Sequence, residues 1–239
     1  MRLDKFLSVC AVATRSESKR AVRAGGVLVN GVAAKTSDIS VDPDNDVIVF
    51  RGSRVVYRKY TYIMLNKPEG YVSATDDPKE KTVLDLLPDE LKRKGLFPCG
   101  RLDKNTLGLI LLTDNGDLAH RILAPKNHVE KKYRFHSKFP LEETDAKRFE
   151  AGVELDDGYM TKPAKIELFG DGSEGIITLH EGKYHQIKRM MEALDNKIIY
   201  LERISFANLA LDGSGLERGA WRYLSDDEIR ELENIAGVL

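Results

Sequence analysis

Residues 100–116 read GRLDKNTLGLILLTDNG, a charged Arg-Leu-Asp step that runs straight into the apolar segment TLGLILLT. An apolar run of this length, closed by an Asp-Asn-Gly turn signal, reads as a buried β-strand over 107–113. Aspartate is disfavoured within strands, so Asp103 reads first as a turn residue capping the entry to that strand. Its surroundings point further. Arg101 stands two residues earlier, and Gly100 and Gly108 bracket the step, as expected where a backbone bends or lets another group approach.

Outward from this stretch the chain alternates short strands and scattered helices. Strands are expected at about 61–66, 96–100, 107–113, 130–139, 162–169, 175–180, 197–204 and 206–211, separated by Gly, Pro and Asp turns. Helices fit at about 82–87, 115–124, 142–151, 184–195 and 225–235, the last opening with the capping-box pattern Ser225-x-x-Glu228. Regular βαβ alternation is absent from this pattern. The expectation is therefore an α+β domain over 60–239, built on a mostly antiparallel mixed sheet.

The first 59 residues have a different texture. In LDKFLSVCAVA the apolar residues Leu3, Phe6, Leu7, Cys10 and Ala13 recur at helical spacing. Ser16 is the expected N-cap of a second helix that ends at Gly25-Gly26 and carries Lys19, Arg20 and Arg23 on one side. VLVNGVAAK then reads as two strands around an Asn30-Gly31 hairpin turn, VDPDNDVIVF as a further turn and strand, and 53–60 as a connector. These 59 residues hold eleven Lys/Arg against six Asp/Glu, leaving 26 against 32 for the rest, so a net charge of -1 conceals a basic front and an acidic body. A basic front of this kind fits a polyanion-binding module.

Composition excludes several classes. With 42% hydrophobic and 31% charged residues the chain reads as globular, and no apolar run approaches the ~18 residues of a spanning helix. The amino-terminal segment lacks the uninterrupted apolar centre of a secretory signal, and a cytoplasmic protein is expected. Two cysteines, neither in a Cys-x-x-Cys pair, and five histidines without ligand spacing imply no metal site.

The R-L-D-x-x-L start, the basic helix and the "G-x-V-x-V-N-G" pattern of the front segment resemble the S4-like RNA-binding domain. The run GRLDKNTLGLILLTDNGDLAHRI resembles the signature of ribosomal pseudouridine synthases, in the branch whose members modify ribosomal RNA and often carry an S4-like domain in front. The resemblance implies that Asp103 is the catalytic carboxylate, that Tyr133 in EKKYRF packs against the target base, and that Arg101 helps hold the target nucleotide out of its helix. It further implies a cation paired with Asp103 from the segment EGKYHQIKRM, where Lys188 is the best match and Arg189 the next candidate. Relatives often have Arg where this chain has Lys188, a planar fork in place of a compact point charge. On a helix over this segment, Ile187, Met190, Met191 and Leu194 form an apolar stripe and leave Tyr184 and Lys188 together on another face.

The implied reaction breaks the bond from ribose C1' to uracil N1 and remakes it to C5, after the base has left its stack at a cost of a few kcal/mol. Asp103 can serve it by attacking C1', by attacking C6 of the base or by abstracting a sugar proton. In each version a partly buried carboxylate must stay charged, and a neighbouring cation offsets the loss of hydration. No redox or carrier step occurs, so no cofactor is expected. Lys19, Arg20 and Arg23 would meet RNA phosphates. The YHQIKRM form resembles synthases of small-subunit 16S rRNA more than those of large-subunit 23S rRNA, and the expected substrate is 16S rRNA, naked or in a partly assembled subunit, taken by a monomer. Large-subunit rRNA is the alternative substrate. A non-catalytic rRNA-binding assembly factor is the alternative class, with the joint presence of Asp103, Tyr133 and Lys188-Arg189 standing against it.

Overall fold

In the computed structural model, which describes every residue except Ala11, Arg58, Arg93, Lys94, Pro125, Lys126 and Leu239, the chain divides into two units, Met1–Tyr60 and Thr61–Leu239. The first unit packs helices α1 (Leu3–Val9) and α2 (Arg15–Arg23) on a four-stranded sheet of β1 (Val27–Val29), β2 (Val32–Ala33), β3 (Ile48–Phe50) and β4 (Ser53–Val55), among the described residues. Its strand order is β2-β1-β3-β4 and every pairing is antiparallel. Leu3, Phe6, Leu7, Ala21, Val22, Val27, Ile48 and Phe50 form the core, as the helical spacing of α1 requires.

The Asn30-Gly31 turn forms as read. Val29 pairs with Val32, and both turn residues take positive φ, 52° and 81°. Two expectations fail locally. The N-cap of α2 is Thr14 rather than Ser16, because Thr14 and Glu17 close a reciprocal capping box at the right spacing, Glu17 N donating to Thr14 Oγ1 and Thr14 N to Glu17 Oε2. The supposed connector at 53–60 begins with a strand: Arg51 and Gly52, with φ of 49° and 86°, make a second two-residue turn that pairs Phe50 with Ser53.

The second unit contains β5 (Tyr62–Lys67), α3 (Asp89–Lys92), β6 (Phe97–Cys99), β7 (Leu107–Thr113), α4 (Gly116–Leu123) and β8 (Lys131–Ser137), with a 3-10 turn at Val83–Leu86. There follow α5 (Glu143–Ala151), β9 (Lys165–Phe169), β10 (Glu174–Leu179), α6 (Gln186–Glu192), β11 (Ile198–Phe206), β12 (Leu209–Ala210), β13 (Trp221–Tyr223) and α7 (Asp226–Ala236). Among the described residues these strands make one nine-stranded sheet ordered β13-β5-β7-β11-β8-β10-β9, with β6 beside β7 and β12 beside β11. Only the β7–β11 pairing in that sheet is parallel, so the mixed, mostly antiparallel α+β architecture stands.

The sheet parts at β7, and that parting positions the site. One edge of β7 pairs with β5 from Gly108 to Thr113. The other edge pairs with β11 at Leu107 and Gly108 only, and then with β6 from Leu111 to Thr113. Six of the seven β7 residues are buried, which is why TLGLILLT is a continuous apolar run rather than an alternating one. At the point of divergence a side chain on Gly108 is impossible. Its φ is 101°, and a Cβ there would sit 2.3 Å from the Arg203 carbonyl oxygen and 2.8 Å from the Arg203 nitrogen. The loop 100–106, between β6 and β7, therefore emerges in the middle of the sheet.

Several sequence expectations differ from this unit, and the helix expected at 82–87 is only a 3-10 turn at Val83–Leu86. The helix expected at 184–195 starts only at Gln186, because His185 takes a left-handed conformation with φ of 49° and breaks the helical run. Tyr184 and Lys188 thus do not share a helix face. The strands expected at 197–204 and 206–211 become one long strand to Phe206 and a two-residue return, β12, around a turn at Ala207, whose φ is 54°. Strand β13, absent from the sequence reading, adds to the outer edge of β5 through Trp221↔Leu65 and Tyr223↔Ile63.

Candidate active site

The loop carrying Asp103 is pinned at nearly every residue. Asp103 opens a tight turn whose carbonyl accepts from Thr106 N at 3.0 Å, which bears out its reading as a turn residue. Leu102 is held by a single hydroxyl, Ser73 Oγ, which donates to its carbonyl at 2.8 Å and accepts from its N–H at 2.9 Å. Lys104 accepts through its carbonyl from Gly70 N at 2.9 Å. Beneath the loop lies Lys67, fully buried, whose ammonium donates to the carbonyls of Pro68, Lys104 and Thr106 at 3.1, 3.1 and 2.8 Å. Burial pushes the Lys67 ammonium down to about 8 from 10.5, with the Asp103 and Glu69 carboxylates acting in the opposite direction.

The side chain that this loop presents meets a cation from α6, 85 residues further along the chain. Lys188 Nζ donates to Asp103 Oδ2 at 2.8 Å and to Asn105 Oδ1 at 2.8 Å. The other carboxylate oxygen, Asp103 Oδ1, lies 3.3 Å from His185 Nε2. The carboxylate keeps 28% of its side-chain surface exposed, enough for a reactant to reach it, while Lys188 keeps 20%. An open cleft of about 400 Å3 borders Asp103 and is lined by Glu69, Gly70, Asp103, Lys104, Asn105 and His185.

The buried face of α6 fixes Lys188 in place. Ile187, Met190 and Met191 are packed in the main core, as their stripe predicts, with Leu194 against it. Ahead of the helix, Gln186 Nε2 donates to the buried Glu181 at 2.8 Å, and Glu181 also accepts from Tyr159 OH and Lys162 N, both at 2.9 Å. This polar knot anchors the start of α6 from below.

The remaining predicted site residues divide. Tyr133, on β8, is 9% exposed and belongs to the same packed cluster as Leu102, one residue from Asp103; among the described residues it makes no hydrogen bond to the Asp103–Lys188 pair. Arg101 is exposed and, among the described residues, has no ion-pair partner. Arg189, the second candidate cation, points elsewhere: it pairs with Asp156 and with Asp157, the latter at 2.8 Å, which raises its own affinity for a proton. In the first unit Lys19, Arg20 and Arg23 are all exposed on α2, and so is Arg15, four residues before Lys19 on the same helix.

Sequence reading missed Lys67, Ser73, Asn105 and His185. The stretch NKPEGYVS gives no sign that its Lys and Ser reach a loop some thirty residues away. His185 was passed over with the other histidines because none has metal-ligand spacing. Among the described residues no group of three or more His, Cys, Asp or Glu side chains is placed to hold a metal ion.

Residues 61–193 match the family model of RNA pseudouridylate synthases, and residues 1–48 match that of the S4 domain. An RNA pseudouridine synthase of Bacillus subtilis is 44% identical over 97% of this chain and 98% of its own length. Ribosomal small subunit pseudouridine synthase A of Vibrio cholerae is 38% identical over 97% of this chain and 99% of that protein, and the Escherichia coli protein of the same name is 37% identical over 97% and 100%. A crystal structure of a pseudouridylate synthase, 38% identical, superimposes with a TM-score of 0.68 over 97% of this chain and 99% of that one.

Proposed function

The chain belongs to the RNA pseudouridylate synthase family, with an S4 domain ahead of the catalytic unit, and from that premise we propose that it isomerises a specific uridine of small-subunit ribosomal RNA at the carboxylate of Asp103. One observation carries the assignment of the site: the carboxylate that the Arg-Leu-Asp loop holds rigidly beside an open cleft is the one contacted by Lys188. The small-subunit substrate is supported by the full-length similarity to two proteins named for that activity.

The reaction needs a carboxylate that is ionised, reachable and fixed. Lys188 places a positive charge 2.8 Å from a carboxylate of which less than a third is exposed, the contact such a group needs where water is partly excluded. The five hydrogen bonds that tie the backbone of residues 102, 104 and 106 to Ser73, Gly70 and Lys67 remove the freedom of the loop, so that no ordering has to accompany the chemical step. Once the uridine is out of its stack, Asp103 breaks the C1'–N1 bond as nucleophile or as base on the sugar. The freed uracil turns, C5 bonds to C1' as the Asp103 carboxylate leaves that carbon or as the abstracted sugar proton is returned, and C5 gives up its own proton to water. Tyr133, packed in the same core cluster as Leu102, confines the uracil ring while it turns. Arg101, exposed and free of an ion pair among the described residues, meets the RNA beside the extruded nucleotide. Uracil is both removed and returned, so the chemistry draws on no redox group.

In the first unit, the exposed Arg15, Lys19, Arg20 and Arg23 hold RNA phosphates and supply sequence-independent affinity. Incubating the protein with small- and large-subunit rRNA transcripts, and with partly assembled small subunits, each tritiated at uracil C5, tests the reading. Bond formation at C5 expels the label into water. Release from small-subunit RNA is the expected result. Release from the large-subunit transcript alone overturns the substrate assignment, and silence from all three overturns the activity.

A further inference from the structure

Beside the carboxylate lies an aromatic pair that the reaction as described does not use. Tyr184 is 73% exposed, an unusual position for a large ring on a fixed loop. One face of it covers the His185 imidazole at a centroid separation of 3.8 Å and an interplanar angle of 19°. His185 in turn lines the cleft and reaches to within 3.3 Å of Asp103 Oδ1. The pair thus forms two parallel layers leading outward from the reacting carboxylate, with the outer face of Tyr184 open to solvent.

The loop that bears the pair is rigid. His185 is held at φ of 49°, a conformation costly for a residue with a Cβ. Gln186 fixes it from both sides: its side chain accepts from Lys183 N at 2.9 Å and donates to Glu181 at 2.8 Å, while its backbone N–H bonds Lys183 O at 3.2 Å. The Lys183 ammonium sits over the Tyr159 ring at 4.3 Å and closes the inner side. Nothing in this network needs the outer face of Tyr184. The strained turn at His185 has one visible consequence, which is to send the helix inward and leave the two rings stacked at the cleft's edge.

We propose that Tyr184, stacked on His185, is a platform for the nucleobase next to the target uridine in the RNA strand. This inference rests on the reading of the chain as an rRNA uridine isomerase acting at Asp103. When a uridine is drawn out of a stack, each neighbouring base loses a partner on one face. An aromatic ring at the mouth of the cleft replaces that partner. Stacking accepts any base, because each has a π face, so the platform fixes position rather than identity. A base laid on the open face of Tyr184 extends the series Asp103, His185, Tyr184 by one layer.

The test uses a short RNA carrying the uridine mapped by tritium release, intact or with an abasic residue on the 5' or the 3' side of it. Wild type, Tyr184→Ala and Tyr184→Phe are compared by kcat/KM on each RNA, with thermal unfolding as a control for the fold. On intact RNA, Tyr184→Ala is expected to lose roughly 5- to 150-fold, the range of one base-stacking contact, and Tyr184→Phe to restore most of it. On RNA abasic at one of the two sides, wild type falls by a similar factor and Tyr184→Ala adds no further loss; the side that shows this identifies the stacked nucleotide. If Tyr184→Ala costs nothing, or costs the same factor on all three RNAs, the platform is refuted while the activity stands. If wild type releases no tritium from intact RNA, the functional reading itself falls and the platform with it.

Discussion

Replacing Lys67 with methionine keeps the length of the side chain and removes only the buried ammonium. Three carbonyl oxygens, on Pro68, Lys104 and Thr106, then lose a donor in a place that water does not reach freely. Lys104 O keeps its bond from Gly70 N, so the acceptors on Pro68 and Thr106 are the ones left without a partner, at about 1–3 kcal/mol each or roughly 2–6 kcal/mol together. Against this, burying the ammonium is itself unfavourable. Holding its pKa at about 8 against 10.5 corresponds to ~3 kcal/mol, which methionine recovers. The net expectation at pH 7 is a loss of at most about 3 kcal/mol for the catalytic unit, together with a slower reaction because Lys104 and Thr106, whose carbonyls lose the ammonium, belong to the Asp103 loop. The dependence on pH sharpens the argument. The folded pKa lies below the unfolded one, so between about 8 and 10.5 the unfolded chain binds the extra proton and wild-type stability rises with pH. Urea unfolding of wild type and Lys67→Met at pH 7, 9 and 10 reads both effects. The stability difference is expected to be flat below pH 8 and to widen in favour of wild type above it. A loss above about 4 kcal/mol at pH 7, or a difference that ignores pH up to 10, would refute the reasoning.

Gly108→Ala places a methyl 2.3 Å from the Arg203 carbonyl oxygen at a φ of 101°, so β7 and β11 must separate; a loss above ~4 kcal/mol in thermal unfolding is expected, and a loss under ~1 kcal/mol would contradict the close approach. Glu228 is bidentate to Arg222 at 2.7 Å on both oxygens and its pKa is held down to about 2 against 4.5, so wild type should lose about 1 kcal/mol of stability, after solvent screening, as pH falls from 4.5 towards 2, and Glu228→Gln should not show that loss. Acid unfolding curves of the two proteins make the comparison. Alanine at Lys19, Arg20 and Arg23 together should lower affinity for rRNA and flatten the dependence of log affinity on log salt by about 2, from ~0.7 per phosphate contact on single strands; an unchanged slope would remove α2 from the RNA interface.

The parts of this molecule that can be read in the sequence are those set by local pattern. TLGLILLT announces a strand buried on both faces, and the structure places it between β5 on one edge and β6 and β11 on the other. Asn30-Gly31 announces a two-residue hairpin turn, and Ser225-x-x-Glu228 a helix start, because each needs only residues within four positions. Gly108 drew notice as a site of close approach, although what approaches, the backbone of Arg203, lies 95 residues on. The Asp103–Lys188 contact was legible only through the resemblance of both segments to one family, since no spacing rule connects them. Arg189, equally suited by charge, is instead held by Asp156 and Asp157, whose positions the sequence pattern does not disclose. Lys67 stayed hidden for a related reason. A lysine at a strand end reads as exposed, and its burial is made possible by carbonyls of a loop that exists only once β6 and β7 are paired. His185 and Tyr184 were read into a helix because helical periodicity extends through them, whereas the left-handed turn at His185 depends on the anchoring of Gln186 by Glu181.

Single-turnover conversion of small-subunit rRNA by Asp103→Asn, set beside wild type with RNA affinity measured on the same preparations, addresses the role of the carboxylate most directly. Asparagine keeps the shape and can still accept from Lys188, so folding and RNA binding should hold while the rate falls by at least about 10^2-fold, the contribution of a positioned acid–base or nucleophilic group. A variant that binds RNA as wild type does and converts it within a few-fold of the wild-type rate would show that the isomerisation does not run through Asp103.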